Sequence, residues 1–594
     1  MTVPMPEQHP DNHYVSGAEL MALYNSGNFP ELCRRLYFMC LSYEGFAYTG
    51  ISNDEQLKLD DTVGAVLYIF TQQNFQIPND WVHNMARIHH LMCNVIACSS
   101  YRTADAAIKH LLNQSNNLIK LLILYSVRCK RIIDPQILFD LNPHLASLWW
   151  LTYGIPVGSS VTKLLYDNLT THFASIPDKF ILPDARTTPA YFDCTYNNPQ
   201  CDHIIKRRLN SELRKLLPPY RSTKKLTHGK IAWVTGRWFT TSAVYKASYA
   251  YAAALAEKYD LTLIHTGPPD PALETSPFKH VINLEIKGLE LDLAPLKDAD
   301  FEVAVIYDVG MSNESVILAN LPIAPIMVAS YGHPSSTFGS LCQYFIGGAE
   351  SEQADLATQN YSERLVLLPG TGQIPVYPKT PRRYPDISGE LIINCPWTAT
   401  KLNYELLCAI KRIMTQANRR VKAQIFPAFT LGRYNNLIPT IQGLSEMFGD
   451  ELVVMSERPY DEYFWEMEKG SFTLISHPFG GYNTVIDSFA TGCPCVAMEG
   501  TRMYNRIAPA VMRQVGFEDL IAKNWDEYVE IAVRLINNPS VLQEARDRLT
   551  EMDVRAKICD RDEGKYFCKA IDFIRENHAK IMSSRNKGPF FIES

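Results

Sequence analysis

From residue 229 onward the chain alternates short apolar runs with helix-length segments, and that alternation leaves few folds open. Ile231-Ala232-Trp233-Val234 is apolar, Ser242 to Lys258 is an alanine-rich helical pattern, and Leu261-Thr262-Leu263-Ile264 is apolar again. Strand, helix, strand at this length makes a βαβ unit, which requires a parallel sheet with right-handed crossovers. Further strands are predicted over Val281 to Ile286, Val303 to Tyr307, Ile326 to Ala329, Tyr344 to Ile346 and Leu365 to Leu368. Pro375, Pro378, Pro381 and Pro385 then mark a linker. In a second series, strands are predicted over Leu391 to Asn394, Ala423 to Phe426, Leu452 to Met455, Phe472 to Ile475 and Cys495 to Met498. Its helices are predicted over Tyr404 to Thr415, Asn483 to Thr491 and Asp526 to Ile536. Two α/β units joined by a linker leave a cleft, and ligands of such sheets sit beyond the carboxyl ends of the strands.

The residues before this series read differently. Between Ser16 and Thr171 apolar residues recur at three- and four-residue steps, as in Leu32-Leu36-Met39-Cys40, which is a helical pattern without a defensible repeat. Proline and polar clusters from Thr187 to His228 read as the boundary. The expected division is an all-α N-terminal domain with its linker over 1–228, a first Rossmann-like domain over 229–385 and a second over 386–594. A chain of 594 residues is too long for one core, so several domains are expected.

Charge and cysteine usage narrow the function. The net charge of -6 argues against a general nucleic-acid partner. The densest basic stretch, Lys206 to Lys230, reads as a solvated linker or helix face. The 14 cysteines show no metal-type Cys-x-x-Cys pair, and scattered cysteines fit a reducing compartment. Met1 to His13 lacks a basic region followed by an apolar run. The apolar stretch Leu118 to Val127 is too short to span a bilayer. A cytoplasmic protein without a membrane span is expected.

No Gly-x-x-x-x-Gly-Lys-Ser/Thr loop, no Gly-x-Gly-x-x-Gly after a predicted strand and no His-Glu-x-x-His occurs. Three segments remain at the carboxyl ends of predicted strands. Tyr331-Gly332-His333-Pro334-Ser335-Ser336-Thr337 offers glycine for close backbone approach and an imidazole, or simply a tight turn. Thr398-Ala399-Thr400-Lys401-Leu402-Asn403 offers an ammonium for a departing diphosphate, or a helix cap with a solvated lysine. In the third, Gly480-Gly481 makes a strand-to-helix turn whose amides could face an anion, while Asn483 and Asp487 share one helix face. The bland reading of this segment is a capped helix start.

Together with Val305 to Pro334 and Arg458-Pro459-Tyr460-Asp461-Glu462-Tyr463, these residues carry a resemblance. The chain is similar to the cytoplasmic inverting N-glycosyltransferases that modify bacterial adhesins, relatives of the O-linked N-acetylglucosamine transferases. The likeness runs over about Lys230 to Ile536. It implies the GT-B fold, in which an all-α N-terminal domain precedes two Rossmann-like domains. The first of these would lie on the acceptor side and the second would hold the nucleotide sugar. It implies a UDP-hexose donor, glucose or galactose, with no metal and no cofactor. Lys401 would assist departure of the diphosphate, with His333 as the other catalytic candidate, facing the donor beside Gly332. Thr398 and Asn483 would contact phosphates, with Thr400, Gly480 and Gly481 around them. Asp487 would contact the ribose. Arg433 would stand in the nucleotide pocket where the family has glutamine, and Glu457 where it has histidine. The acceptor would be asparagine in Asn-x-Ser/Thr of a protein, such as a secreted adhesin before export.

This sequence departs from the family near the acceptor. The family's Gly-His-Ser-Ile-Tyr-Arg-Thr-His segment matches Thr241-Ser242-Ala243-Val244-Tyr245-Lys246-Ala247-Ser248, without either histidine. Two other readings therefore stay open. One is a transferase with a hydroxyl acceptor on a protein or glycan. The other is a non-catalytic nucleotide-binding partner of a glycosyltransferase, against which the retained Lys401 argues.

Overall fold

The computed structural model describes residues 14–44, 52–114, 117–154, 160–268, 270–284, 286–287, 290–385, 389–426, 437–456 and 458–593. Helices dominate its first part, from Gly17–Asn25 to Asp202–Leu216. This helical part runs further than the sequence suggests. Thr188–Asn197 and Asp202–Leu216 occupy part of the expected boundary. Pro189 sits in the first turn of its helix, where a missing N–H costs nothing. In the next helix Ile205, Leu209 and Leu213 recur every four residues and are fully buried.

The basic stretch is likewise not all solvated. Lys206 is fully buried, and its Nζ donates to the Ser335 hydroxyl at 2.9 Å and the Ser336 carbonyl at 3.2 Å. Asn210 donates to the carbonyls of Thr337 and Phe338. Polar residues of one helix thus complete the backbone of the Tyr331–Thr337 loop, because a buried carbonyl without a partner is costly. This helix is the seam between the helical part and the first sheet.

The first sheet has eight strands: β1 (Lys230–Thr235), β2 (Asp260–His265), β3 (His280–Asn283), β6 (Val303–Ile306), β7 (Ile326–Ala329), β8 (Tyr344–Gly348), β9 (Arg364–Leu368) and β16 (Phe590–Phe591). They lie in the order β16-β9-β8-β7-β6-β1-β2-β3, with neighbouring strands parallel throughout. β4 (Ile286–Lys287) and β5 (Glu290–Leu291) form a separate small antiparallel ribbon. The second sheet contains β10 (Leu391–Cys395), β11 (Val421–Ile425), β12 (Leu452–Val454), β13 (Phe472–Leu474), β14 (Cys495–Met498) and β15 (Ile521–Ala522). Its order is β12-β11-β10-β13-β14-β15, again parallel.

Continuous apolar strands suit sheets covered on both faces. Along β1, Ala232 and Val234 join a core shared with the helical part and the second sheet, while Ile231 and Trp233 face a second core. The helix Gly564–Ser583 closes that second core with Phe567, Ile571 and Ile574 and packs against Ala243–Lys258. The chain's last strand therefore returns to the first sheet, although residues 386–594 were expected to form one unit. Each such buried side chain contributes roughly 1.5–3 kcal/mol. No helix of the described residues is long and apolar enough to cross a membrane.

Candidate active site

In the second sheet the strand order reverses between β10 and β13, and in open α/β sheets the ligand crevice lies at the carboxyl ends of the strands beside such a reversal. Two of the three candidate segments start there. After β10 the chain passes Trp397, whose indole donates to the Leu474 carbonyl of β13 at 2.8 Å and fixes the loop. Asn403 caps Tyr404–Gln416 by accepting from the Leu406 amide at 3.0 Å. Its own amide donates to the His477 carbonyl at 2.8 Å and the Lys401 carbonyl at 3.2 Å. One side chain thus couples the two loops. Lys401 ends the single turn Ala399–Lys401, and its Nζ donates to the Gly480 carbonyl at 2.7 Å. The half-buried ammonium also stands 5.7 Å from the Phe479 ring centroid. Loss of hydration lowers its pKa to about 8. Thr398 is exposed, with its hydroxyl 3.1 Å from that of Thr400.

The Gly480 amide is not open to a ligand as the sequence suggested, since it donates to the Tyr504 carbonyl at 2.8 Å. A Cβ on Gly481 would overlap the Thr484 side chain. The Tyr482 hydroxyl donates to the Gln373 carbonyl at 2.9 Å, tying the turn to the segment after β9. Asn483 opens the helix Asn483–Ala490, and Asp487 follows one turn later. Asp487 is buried and accepts from the Tyr460 hydroxyl at 2.6 Å. Burial pushes its pKa up to about 6, against the opposing pull of the Tyr460 bond, the Lys246 charge and Tyr463.

The third segment behaves otherwise. His333 was expected to face the donor, yet its ring is only 2% exposed. Its Nε2 lies 3.2 Å from the Thr195 hydroxyl, and the ring packs between Phe192 and Phe479. Burial drives its pKa well below the ordinary value, so the imidazole is neutral. In this conformation His333 is a packing residue where the helical part meets both sheets. Gly332 serves backbone packing rather than ligand approach. A Cβ there would stand 2.5 Å from the Asp308 Cα and closer still to the Tyr307 carbonyl. Arg433 and Glu457 lie outside the described residues. The structure thus places Thr398, Thr400 and Lys401 on the loop after β10 and Gly480, Gly481, Asn483 and Asp487 on the turn and helix after β13, joined by the Lys401–Gly480 bond, with His333 packed on Phe479.

Several supporting groups were not visible in the sequence. Phe479 stacks on Tyr196 at 4.2 Å and on Tyr504 at 4.9 Å, so a helical-part residue walls the crevice. Tyr460 orients Asp487, and its place in the Arg458–Tyr463 motif was the available signal. Ser242 and Ser248, where family histidines are absent, are used locally. Ser242 accepts from the Val244 amide, and Ser248 donates to the Val244 carbonyl.

Two parallel α/β lobes around such a crevice, together with the chain's similarity to known transferases, define the class: the chain is a glycosyltransferase with the GT-B fold. Within that class, residues 473–569 match the model of Glycosyl transferase family 41. The chain is 23% identical over 499 residues to a UDP-glucose:protein N-beta-glucosyltransferase of Actinobacillus pleuropneumoniae, covering 79% of each. It is 26% identical over 262 residues to a probable UDP-N-acetylglucosamine–peptide N-acetylglucosaminyltransferase of Solanum lycopersicum, covering 42% of this chain and 27% of that one. Among solved structures, an O-GlcNAc transferase mutant of Thermobaculum terrenum superposes with a TM-score of 0.59 at 16% identity. That match covers 88% of this chain and 99% of the other.

Proposed function

We propose that the chain moves a hexose from UDP-glucose or UDP-galactose to the side-chain amide of asparagine in Asn-x-Ser/Thr of a protein acceptor. The transfer inverts the anomeric carbon and uses no metal or other cofactor. An adhesin modified in the cytoplasm before export is the acceptor class we assign. The observation that carries this reading is the Lys401 ammonium on the Gly480 carbonyl, at the switch point of the second sheet. The long match to a protein N-glucosyltransferase supports the same donor and acceptor.

In this reading the amide nitrogen attacks the anomeric carbon opposite the diphosphate. The C–N bond forms, the anomeric C–O bond breaks, its electron pair leaves with UDP, and the proton given up by the nitrogen passes to solvent water. Lys401 offsets the charge growing on the diphosphate, and a preorganised charge of this kind lowers the barrier more than most other devices available to an enzyme. Thr398, Thr400 and Asn483 donate to phosphate oxygens at the start of the Asn483–Ala490 helix. Asp487, held by Tyr460, accepts from the ribose hydroxyls.

A hydroxyl acceptor is the second reading. It is favoured by Ser242 and Ser248, which spend their hydroxyls on helix bonds where the family carries histidines. One experiment separates the two. The protein is incubated with UDP-glucose, UDP-galactose or UDP-N-acetylglucosamine and an Asn-x-Thr peptide, and the peptide is sequenced by mass. Hexose on asparagine supports the first reading. Donor turnover without asparagine labelling supports the second. Binding of UDP without turnover of any donor removes both.

A further inference from the structure

Lys246 is a charged crevice residue that the proposed chemistry leaves unused. It lies in the first turn of Ala243–Lys258, a helix of the first lobe capped by Ser242. Its half-buried side chain reaches across to the second lobe, where Nζ stands 4.3 Å from the centroid of the Tyr460 ring. The hydroxyl of that same ring donates to Asp487 at 2.6 Å. The Lys246 charge also favours ionisation of Asp487. A lysine from one lobe therefore rests at the ribose end of the assigned donor site, while Lys401 stands at its other end on Gly480.

An ammonium is held on an aromatic face only by the ring quadrupole, and weakly where water can reach it. A phosphate oxygen is the stronger partner, because charge-assisted hydrogen bonds are about twice as strong as neutral ones. A nucleoside diphosphate carries more negative charge than Lys401 alone can offset. The cation that acts on Asp487 comes from the opposite lobe, so pairing it with the ligand would keep the two lobes bridged through the nucleotide.

We propose that Lys246 is a second donor-binding cation, which leaves the Tyr460 face to pair with the phosphate adjoining the ribose when the nucleotide enters. This rests on the UDP-sugar reading of the crevice. Lys246 is then a positioning residue that holds the donor between the two lobes, and Lys401 remains the leaving-group residue.

Calorimetric titration of the full chain with UDP and with uridine tests it, using the wild type, Lys246→Met and Lys246→Arg. Loss of one charge-assisted phosphate bond weakens UDP binding in Lys246→Met about tenfold. Uridine, which has no phosphate, binds both proteins alike, and Lys246→Arg keeps most of the UDP affinity. The inference is overturned if Lys246→Met binds UDP as the wild type does. It is equally overturned if that variant loses UDP and uridine to the same extent, which marks a structural contact between lobes. A wild type that binds neither UDP nor uridine removes the nucleotide reading itself, and this inference with it.

Discussion

At the scale of single residues, the crevice holds two groups whose ionisation burial has moved toward neutrality. Lys401 titrates at about 8 and Asp487 at about 6. In the proposed reaction the useful forms are the ammonium and the carboxylate. Raising the pH through about 8 deprotonates Lys401, and lowering it through about 6 protonates Asp487. The pH profile of kcat/KM, which reports the free enzyme, is therefore expected to be a bell with limbs near those values. Asp487→Asn should abolish the acid limb and leave the alkaline one, and an unchanged acid limb would place that ionisation elsewhere. Gly332→Ala should cost about 1–3 kcal/mol by overpacking backbone, measured by urea unfolding. The positions of Lys401 and Asn483 were legible in the sequence because each follows a predicted strand, and that of Asp487 because it falls one helical turn after Asn483. The burial of His333 was not, because Phe192 and Thr195 reach it from a helix far away in the chain.

At the scale of elements, most strands showed in the sequence because they are short apolar runs buried along their length, as in β1, β6, β7 and β14. β15 and β16 did not, since two residues each are too few to register as a pattern. The helices Thr188–Asn197 and Asp202–Leu216 were hidden by prolines and charges that turn out to be first-turn and buried polar positions. The Tyr404–Gln416 helix carries the most consequential cap. Asn403→Ala removes the bond to Leu406 and frees the His477 loop at once. It should lower stability by about 1 kcal/mol and reduce kcat more than UDP affinity, since Lys401 follows that loop. Loss of UDP affinity with kcat intact would contradict this coupling. In the second core, Ile571→Ala should cost about 2–5 kcal/mol in the same unfolding assay.

At the scale of the whole molecule, one continuous core joins the helical part to both sheets, and the chain's end returns to the first of them. Fold class and cleft were readable from the alternation of strand and helix. How intimately the helical part seals the crevice was not, because Lys206, Tyr196 and Thr195 act through partners far away in the sequence. A fragment of residues 229–594 should expose that seam and aggregate, seen as loss of soluble protein; a soluble fragment with wild-type transfer would contradict the shared core. The central claim is that the Lys401 ammonium drives departure of the diphosphate. Single-turnover transfer from UDP-glucose to an Asn-x-Thr peptide by Lys401→Ala, with an unchanged unfolding midpoint, tests it most directly. The rate should fall about a hundred- to a thousandfold, whereas a near-normal rate in the folded variant would contradict the account.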